Sequence, residues 1–317
     1  MKRIIVTGGN GYVGRELVRL LYGDHQVCIV DHLRGGGLRF RPDETAKVSV
    51  ARIDICDGDA LGKLFEEFVP DTIVHLAAIH YIPECEEQPE AAVRTNVLGT
   101  VTLLSRAPEG CRIVFASSGA VYKPDRLPHA ETSAQQPSDI YGLTKLHGEH
   151  YVANFARKRS LAAVVVRLFN VVGPGETNPH LFPELVAQLK AGRRTIQLGN
   201  LWPKRDYIHV RDAARGFMKT ALGDGVAPGE CVTVNLGTSA AYSVSEVVEK
   251  LRAVCDIDFE IQQDASRLRP VDRPFLAADT SRMRSRFGWQ PELTVDDAMA
   301  DLWRDPELTR ALTERYL

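Results

Sequence analysis

The stretch Thr7-Gly8-Gly9-Asn10-Gly11-Tyr12-Val13-Gly14 decides the fold of this chain. It follows a β-branched run from Lys2 to Thr7 and leads into residues 11–21, whose apolar side chains recur at helical spacing. That order predicts a strand, a tight turn and a helix. The three spaced glycines allow the turn, the approach of backbone to a pyrophosphate and the packing of helix on strand, and the helix N-terminus attracts phosphate. The expected dinucleotide contacts in this turn are Gly8, Asn10, Gly11, Tyr12, Val13 and Gly14.

Strand and helix signals continue to alternate through the first half of the chain. Apolar runs predict strands at residues 26–30, 48–53, 71–76, 112–116 and 162–168, and helical spacing predicts helices at residues 60–68, 89–105 and 138–157. Continuous apolar strands separated by helices indicate a parallel sheet that is covered on both faces. The predicted fold class is therefore α/β, a Rossmann fold with a doubly wound parallel sheet.

The pattern changes after Gly173-Pro174-Gly175. Shorter helices follow at residues 181–190 and 244–253, while the strand at 232–236 is expected to return to the main sheet. We therefore expect a smaller, discontinuous C-terminal substrate-binding lobe. The predicted dinucleotide-binding domain covers residues 1–172, with 206–240 returning to it, and the lobe covers residues 173–205 and 241–317.

Composition narrows the classes of partner. The 39 Lys and Arg residues nearly balance the 41 Asp and Glu residues, so neither nucleic acid nor a membrane surface is expected to bind. The apolar runs are too short for a membrane span or a signal peptide. The six cysteines are scattered and have no histidine at metal-ligand spacing, so no metal site is expected. These features favour a cytoplasmic protein whose partners are small molecules or other chains.

An acidic residue ends the second predicted strand. Asp31 lies at the distance from the glycines at which a carboxylate accepts hydrogen bonds from an adenosine ribose. Because it also repels a 2′-phosphate, it favours NAD over NADP, although Arg34 and Arg39 follow closely and would soften that preference. Asp54 and Ile55, just past the third strand, are placed to meet the adenine ring. A plain turn at the strand end fits the same spacing.

Among the nine tyrosines, only Tyr141 has a lysine four residues later, Lys145. On a helix this spacing puts both side chains on one face, and an ammonium beside a phenol favours the phenolate, which makes Tyr141 a candidate general base. Ser117 and Ser118 follow a predicted strand, so they bring hydroxyls to the carboxyl edge of the sheet, where doubly wound folds bind ligands. Asn96 is a further polar candidate, with a helix-packing role as the alternative.

Six motifs follow one another in a fixed order between residues 7 and 170: Thr7-Gly-x-x-Gly-x-x-Gly14, His75-Leu-Ala-Ala78, Asn96-Val-Leu-Gly-Thr100, Ser117-Ser118, Tyr141-x-x-x-Lys145 and Arg167-Leu-Phe-Asn170. In this order they resemble the extended short-chain dehydrogenases/reductases, specifically the NAD-dependent nucleotide-sugar epimerases and dehydratases. The stretch Arg205-Asp206-Tyr207-Ile208-His209-Val210 resembles the signature of the UDP-galactose 4-epimerases, and Arg269-Pro270-Val271-Asp272 resembles their later diphosphate-binding motif.

The resemblance implies NAD as cofactor, a nucleotide-diphosphate sugar as substrate, and a homodimer formed through helices around residues 93–104 and 141–155. It makes Ser118 the hydroxyl partner of the reacting sugar oxygen and Tyr141 the base. Lys145 would orient the nicotinamide ribose and lower the tyrosine pKa. The further implied contacts are Leu76, Ala77, Ala78, Asn96, Ser117 and Phe169 for the cofactor, and His80, Asn170, Arg205, Arg269 and Asp272 for the substrate.

The two residues after Ser118 separate the branches of the family. Gly119 and Ala120 stand where similar dehydratases carry Asp-Glu, so hydride transfer at C4 remains, and the sequence favours a 4-epimerase that works through a 4-keto intermediate. The alternatives are an NAD(P)H-dependent 4-keto-sugar reductase, a sugar dehydratase, or a non-catalytic dinucleotide-sensing protein. The stretch Gly199-Asn200-Leu201 is similar to the corresponding stretch of enzymes that act on GDP-sugars. The identity of the nucleotide base in the substrate therefore stays open. His80, Tyr81 and residues 176–180 are expected to line the sugar pocket, or to form a plain loop.

Overall fold

A computed structural model describes residues 1–34, 36–176, 178–265, 268 and 273–306. Its strands are β1 (Arg3–Thr7), β2 (Gln26–Val30), β3 (Ser49–Ala51), β4 (Thr72–His75), β5 (Arg112–Ser118), β6 (Ala162–Leu168), β7 (Asn170–Val172), β8 (Thr195–Leu198), β9 (Lys204–His209), β10 (Cys231–Leu236), β11 (Ala241–Ser243), β12 (Glu260–Gln263) and β13 (Phe275–Leu276). Seven of these form one parallel sheet in the order β10-β6-β5-β4-β1-β2-β3. The predicted doubly wound sheet, including the return of the late strand, is confirmed.

The helices are α1 (Tyr12–Leu21), α2 (Pro42–Thr45), α3 (Gly58–Phe68), α4 (Ile82–Glu87), α5 (Pro89–Val93), α6 (Gly99–Arg106), α7 (Ile140–Lys158), α8 (Leu181–Lys190), α9 (Val210–Leu222), α10 (Val244–Cys255), α11 (Ser281–Phe287) and α12 (Val295–Arg304). A π-helical segment, Arg94–Leu98, joins α5 to α6, and a short 3-10 turn, Gly119–Val121, follows β5. No helix among the described residues is long and apolar enough to cross a membrane.

Both faces of the sheet are buried. Successive side chains of a strand point to opposite faces, so Ile4 joins the core formed with α1 and α9, whereas Ile5 joins the core formed with α3, α6 and α7. Leu17 and Phe217 pack in the first core, and Phe65 packs in the second. This double cover explains why the strands are apolar without alternation.

The lobe has its own core and sheet. Strand β9 pairs with β7, β11 and β13 apart from the main sheet, and α8, α10 and α12 enclose a separate apolar cluster. Within the segment 206–240, α9 and β10 pack with the main sheet, whereas β9 pairs in the small sheet and contributes Ile208 to the main core. Conversely, Met283 and Phe287 of α11 lie in the core of the main sheet.

The helix predicted at residues 89–105 differs from the observed one in its middle. Helices α5 and α6 are continuous through the π-helical segment, whose wider turn contains the buried Asn96. A π turn holds one residue more than an α turn, and such turns occur at functional sites. The buried residues Ala92, Asn96 and Thr100 keep a spacing of four across this segment, so the sequence pattern predicts one uninterrupted helix.

Candidate functional site

A cleft of about 1660 Å³ opens at the carboxyl ends of the main-sheet strands and extends against the lobe. Its walls include the glycine turn after β1, the end of β5, the first turns of α7 and the segments before and after α8. Ligand pockets typically measure about 300–1,000 Å³. The cleft is therefore large enough for a dinucleotide together with a second ligand.

The glycine turn is closely packed against the segment after β4. Gly8 has a positive φ of 67°, and a Cβ atom there would lie 2.7 Å from the backbone nitrogen of Ala77. At Gly14 a Cβ atom would lie 2.2 Å from the carbonyl oxygen of Gly8. Both positions require glycine because the contacted atoms are backbone and cannot move aside cheaply.

Asp31 lies on the wall of the cleft at the end of β2. Its carboxylate accepts hydrogen bonds from the backbone nitrogens of Asn10, at 3.2 Å, and Leu33, at 2.9 Å. The Asn10 side chain in turn accepts from the backbone nitrogen of Arg39 at 2.8 Å. The glycine turn and the loop after β2 are thereby fixed to each other around the carboxylate.

The two arginines that follow Asp31 both have protein partners. Arg34 is paired with Glu84 of α4, and Arg39 donates to the carbonyl oxygen of Gly175 at 3.1 Å. The ion pair with Glu84 offsets the charge of Arg34 toward a phosphate near Asp31, whereas the hydrogen bond to Gly175 holds the Arg39 guanidinium in place without offsetting its charge. The structure therefore favours NAD more strongly than the sequence did.

The two residues proposed to meet adenine are separated by the structure. Ile55 is buried and lines the cleft beside Ile53. Asp54 is directed away from it: its carboxylate accepts from the backbone nitrogen of Cys56 at 2.9 Å and lies 3.8 Å from Arg94. Ile53 and Ile55 therefore line the cleft at this point, and the contact of Asp54 with adenine stays a prediction.

Ser118, Tyr141 and Lys145 come together in the cleft. Ser118 ends β5, and its Oγ accepts from the backbone nitrogen of Ala120 at 3.1 Å. The same hydroxyl is near enough to the phenol of Tyr141 to lower the pKa of that phenol. Asp139 caps α7 by accepting from Gly142, which places Tyr141 in the first turn and Lys145 one turn later. The Lys145 Nζ lies 5.7 Å from the centre of the Tyr141 ring.

Burial dominates the protonation of this pair. It raises the pKa of Tyr141 well above the ordinary value for a phenol, against the opposing effect of the Ser118 hydrogen bond. It lowers the pKa of Lys145 to about 8. The net direction for Tyr141 is opposite to the prediction from spacing, because loss of hydration around the phenolate outweighs the effect of Ser118, and the charges of Cys85 and Asp139 raise the pKa further.

A buried histidine connects two strands of the main sheet to a helix that packs on it. His75, the last residue of β4, is 2.7 Å from the Thr7 hydroxyl through Nδ1 and 3.0 Å from the Thr100 hydroxyl through Nε2. Burial and the charge of Lys145 lower the pKa of His75 to about 3. The imidazole is therefore neutral and bridges β1, β4 and α6 as a structural link.

Asn96 holds the segment after β4 in place. Its side chain accepts from the backbone nitrogen of Ile79 and donates to the Ile79 carbonyl oxygen, both at 2.8 Å, and it donates to the Thr144 hydroxyl at 3.0 Å. It does not line the cleft, whereas its neighbour Thr95 does. The contacts of the Asn96 side chain match the helix-packing role that the sequence left as the alternative. Asn96 would affect a bound ligand through the positions of Ile79 and α7.

Ser117 and Ser118 have different surroundings. The Ser117 hydroxyl donates to Glu149 of α7, which also forms a buried ion pair with Arg167 at 2.7 Å. Because one carboxylate serves both groups, it ties β5, β6 and α7 together behind the cleft. Ser118 is the serine whose hydroxyl belongs to the Tyr141 group.

The remaining predicted contacts fall into two groups. Lining the cleft are Leu76, Ala77, Ala78, His80, Tyr81, Phe169, Asn170, Glu176, Asn178, Pro179, His180 and Arg205. Arg269 and Asp272 lie outside the described residues. Arg205 is held partly by its own lobe, since it donates to the carbonyl oxygen of Arg273 at 2.7 Å.

Arg273 was missed at the sequence level. Its guanidinium lines the cleft and donates to the carbonyl oxygens of Ala120 and Tyr122, both at 2.8 Å, and to the Ser138 hydroxyl at 3.1 Å. It therefore joins the segment after Ser118 to the start of α7. The signal that could have found it is its position directly after the Arg-Pro-Val-Asp motif.

Comparison with known proteins gives consistent matches along the chain. The model of the NAD dependent epimerase/dehydratase family matches residues 4–237. A UDP-glucose 4-epimerase of Corynebacterium glutamicum is 34% identical over 94% of this chain and 95% of the relative. A GDP-6-deoxy-D-mannose reductase of Pseudomonas aeruginosa is 26% identical over 96% of this chain and 97% of the relative.

A solved structure extends the match to three dimensions. The UDP-glucose-4-epimerase from Stenotrophomonas maltophila, with bound NAD and formylated UDP-arabinopyranose, superposes with a TM-score of 0.85 at 27% sequence identity. The alignment covers 99% of this chain and 100% of that one. The similarity therefore includes the lobe as well as the main sheet.

Proposed function

Because the chain belongs to the NAD-dependent epimerase/dehydratase family, we propose that it is an NAD-dependent nucleotide-sugar 4-epimerase, which transfers hydride reversibly at C4 of the sugar through a 4-keto intermediate. The observation that carries the proposal is the meeting of Ser118, Tyr141 and Lys145 in one cleft, followed by Gly119 and Ala120, which have no group able to abstract a proton from carbon. The relatives named UDP-glucose 4-epimerase support the same reaction.

The residues fit NAD. The glycine turn leaves room for a pyrophosphate against the α1 N-terminus, Asp31 faces a ribose, and Ile53 and Ile55 offer an apolar wall for adenine. When bound, oxidised NAD supplies the hydride acceptor and a positive charge in the cleft. Ser117 and Phe169 are proposed to contact the nicotinamide half, together with the backbone of residues 76–78.

In the mechanism that we propose, Tyr141 removes the proton of the C4 hydroxyl while hydride leaves C4. The Ser118 hydroxyl holds the same sugar oxygen, and the Lys145 ammonium favours the phenolate and orients the nicotinamide ribose. The keto group then accepts hydride on its other face, and Tyr141 returns the proton. Because the hydride returns to the carbon that it left, the cofactor would end the cycle oxidised and no external reductant would be consumed.

The substrate that the relatives support is a UDP-sugar. His80, Asn170, Arg205, Arg269 and Asp272 are its proposed contacts, with the arginines on the diphosphate because guanidinium binds phosphate oxygens in pairs. Residues 1–172 and 206–240 are proposed to carry the cofactor, and residues 173–205 and 241–317 the nucleotide sugar. A 4-keto-sugar reductase is the second candidate, favoured by the match to the GDP-6-deoxy-D-mannose reductase.

The protein is also proposed to act as a homodimer in the cytoplasm. The described parts of α5, the π-helical segment and α7 expose Val93, Leu98, Leu143 and Tyr151. These side chains lie on elements that contact one another. They form an apolar surface at the place where the family resemblance puts the partner subunit.

A deuterium label tests the reaction. The protein is incubated with UDP-glucose deuterated at C4 and only its bound NAD, and the product is followed by NMR and mass spectrometry. We expect the label to remain on an inverted C4. Tyr141→Phe, as the matched control, should keep NAD but lose at least about a hundredfold in rate.

Three other outcomes would contradict the epimerase. Solvent deuterium at C5 or C6, or loss of water, would indicate a dehydratase. Stoichiometric NADH or NADPH consumption with a 4-keto sugar would indicate the reductase. The absence of turnover with UDP-, GDP-, CDP- and dTDP-sugars would favour a dinucleotide-sensing protein.

A further inference from the structure

Two histidines and a glutamate converge on the wall of the cleft. His80 follows β4, Glu176 lies between β7 and α8, and His180 immediately precedes α8. One potential ligand atom from each side chain lies within 4.8 Å of the other two. The proposed epimerase mechanism uses none of these three groups for proton or hydride transfer.

The carboxylate of this group is held in position by its own loop. One oxygen of Glu176, Oε1, accepts from the backbone nitrogen of Asn178 at 2.9 Å. The other, Oε2, is 4.0 Å from His180 Nε2, and the side chain is only 6% exposed. A carboxylate oriented through one oxygen presents the other in a defined direction, as metal-binding carboxylates commonly do.

The imidazoles have a spacing that one ion could bridge. The ring centres of His80 and His180 are 6.1 Å apart. A zinc ion binds imidazole nitrogen at about 2.0–2.1 Å in tetrahedral geometry, which puts the ion about 3.2 Å from each ring centre and two ligating ring centres about 5.2 Å apart. The observed separation is about 0.9 Å larger, so a small rotation of the exposed His80 side chain would bring both nitrogens onto one ion.

Asn178 places a fourth polar group at the same point. Its side-chain amide nitrogen is 3.1 Å from His80 Nε2. Metal binding would use this ring nitrogen in its unprotonated form. Rotation of the amide would present its oxygen instead, at a separation typical of two ligands on one ion.

We propose that His80, Glu176 and His180 bind one divalent transition-metal ion of the zinc class, with an open coordination position toward the cleft. Two imidazoles and one carboxylate are a ligand set used for Zn²⁺ when a position is left for a further ligand. Magnesium and calcium prefer oxygen ligands and would bind this set poorly. The inference depends only on the three side chains and not on the reaction proposed above, although His80 is also a proposed substrate contact.

The test is metal binding by tag-free, full-length protein with its bound cofactor. The protein is first stripped of metal by a chelator, then titrated with Zn²⁺ by calorimetry and with Co²⁺ by visible absorption. We expect one ion per chain and a Co²⁺ spectrum of low coordination number. Mg²⁺ at the same concentrations should give no saturable binding.

Variants distinguish this site from scattered surface histidines. His80→Ala removes an exposed ligand, and Glu176→Gln keeps the shape of the buried one. Each should weaken Zn²⁺ binding by at least about a hundredfold, since even residues behind the ligands contribute about 10–100-fold. His150→Ala, an exposed histidine of α7 outside the group, is the matched control and should bind as the wild type does.

Retained cofactor and an unchanged Tm in the absence of metal will show that the variants are folded. The inference is wrong if the wild type shows no saturable Zn²⁺ binding, or if His80→Ala and Glu176→Gln bind as tightly as His150→Ala. Epimerase activity is not the readout, so failure of the metal site and failure of the proposed reaction are separate results.

Discussion

Lys145 is a buried ammonium one helical turn after the proposed base, and its charge has a definite effect on pH dependence. Burial lowers the pKa of Lys145 to about 8, so the ammonium persists below that pH and favours the Tyr141 phenolate. Removing it raises the phenol pKa further. We expect Lys145→Ala to move the acidic limb of log(kcat/KM) upward by roughly one to two pH units.

The control for this profile is Lys158→Ala, which removes an exposed lysine from the end of the same helix. It should leave the limb in place. Should Lys145→Ala lower the rate without a shift of the limb, Lys145 would act on the ribose alone and not on the protonation of Tyr141.

Asp31 is expected to set the preference for NAD over NADP, because Arg34 is paired with Glu84 and Arg39 donates to the carbonyl oxygen of Gly175. The carboxylate accepts from ribose hydroxyls and repels a 2′-phosphate. Asp31→Ala should narrow the gap between NAD and NADP affinity by at least about tenfold, measured by calorimetric titration after cofactor removal. Asp59→Ala, whose side chain is fully exposed, should leave the gap unchanged. Tighter NADP binding by the wild type would contradict the assignment and favour the reductase.

Single residues differ in how well sequence alone could locate them. Tyr141 and Lys145 share one helix, so their spacing fixes their proximity before the fold is known. His80 and Glu176 meet only because the segments after β4 and β7 reach the same cleft. Likewise, the partners of Ser117 and Asn96 depended on packing that no local pattern records.

At the scale of elements, the turn between β1 and α1 is the most demanding part of the cofactor site. A Cβ atom at Gly14 would lie 2.2 Å from one backbone atom and 2.8 Å from another. Gly14→Ala should therefore displace the turn, abolish NAD retention and cost about 1–3 kcal/mol, seen as a Tm lower by several degrees.

Gly23→Ala provides the comparison within the same supersecondary unit. It lies after α1, where a Cβ atom would meet nothing within 4 Å. The variant should keep both NAD and the wild-type Tm. Full NAD retention by Gly14→Ala, measured by release on denaturation, would contradict the assignment of the turn.

Strands that are buried on both faces were predictable from the sequence. Elements whose form depends on contacts with distant segments were not. The strands from β1 to β6 read as continuous apolar runs because helices cover both faces of their sheet. The π-helical segment was not predictable, because the buried residues Ala92, Asn96 and Thr100 keep the spacing of an ordinary helix. Strand β9 contains charged and polar residues and pairs outside the main sheet. Its sequence matched a family motif but did not indicate which sheet the strand joins.

At the scale of the whole molecule, the second half of the chain alternates between the lobe and the main sheet. β10 returns to the edge of the main sheet beside β6, as its apolar run predicted. α11 also returns, and it buries Met283 and Phe287 in the main core although the sequence placed it in the lobe. Short helices give no sign of which core they join, because either core accepts the same apolar face.

The proposed homodimer depends on apolar side chains that are exposed on two adjoining elements. Leu98 is 51% exposed and Leu143 is 41% exposed, and they lie on the adjoining π-helical segment and α7. Apolar side chains in such a patch are stabilised when a partner removes them from water, whereas a carboxylate in the same interface would be buried without a partner. Leu98→Glu combined with Leu143→Glu should therefore convert a dimer to a folded monomer, measured by light scattering at micromolar concentration. Leu127→Glu, at a site that is 68% exposed on the loop before α7, should remain dimeric. A wild-type monomer, or a double variant that stays dimeric with an unchanged elution volume, would show that this surface does not hold two chains together.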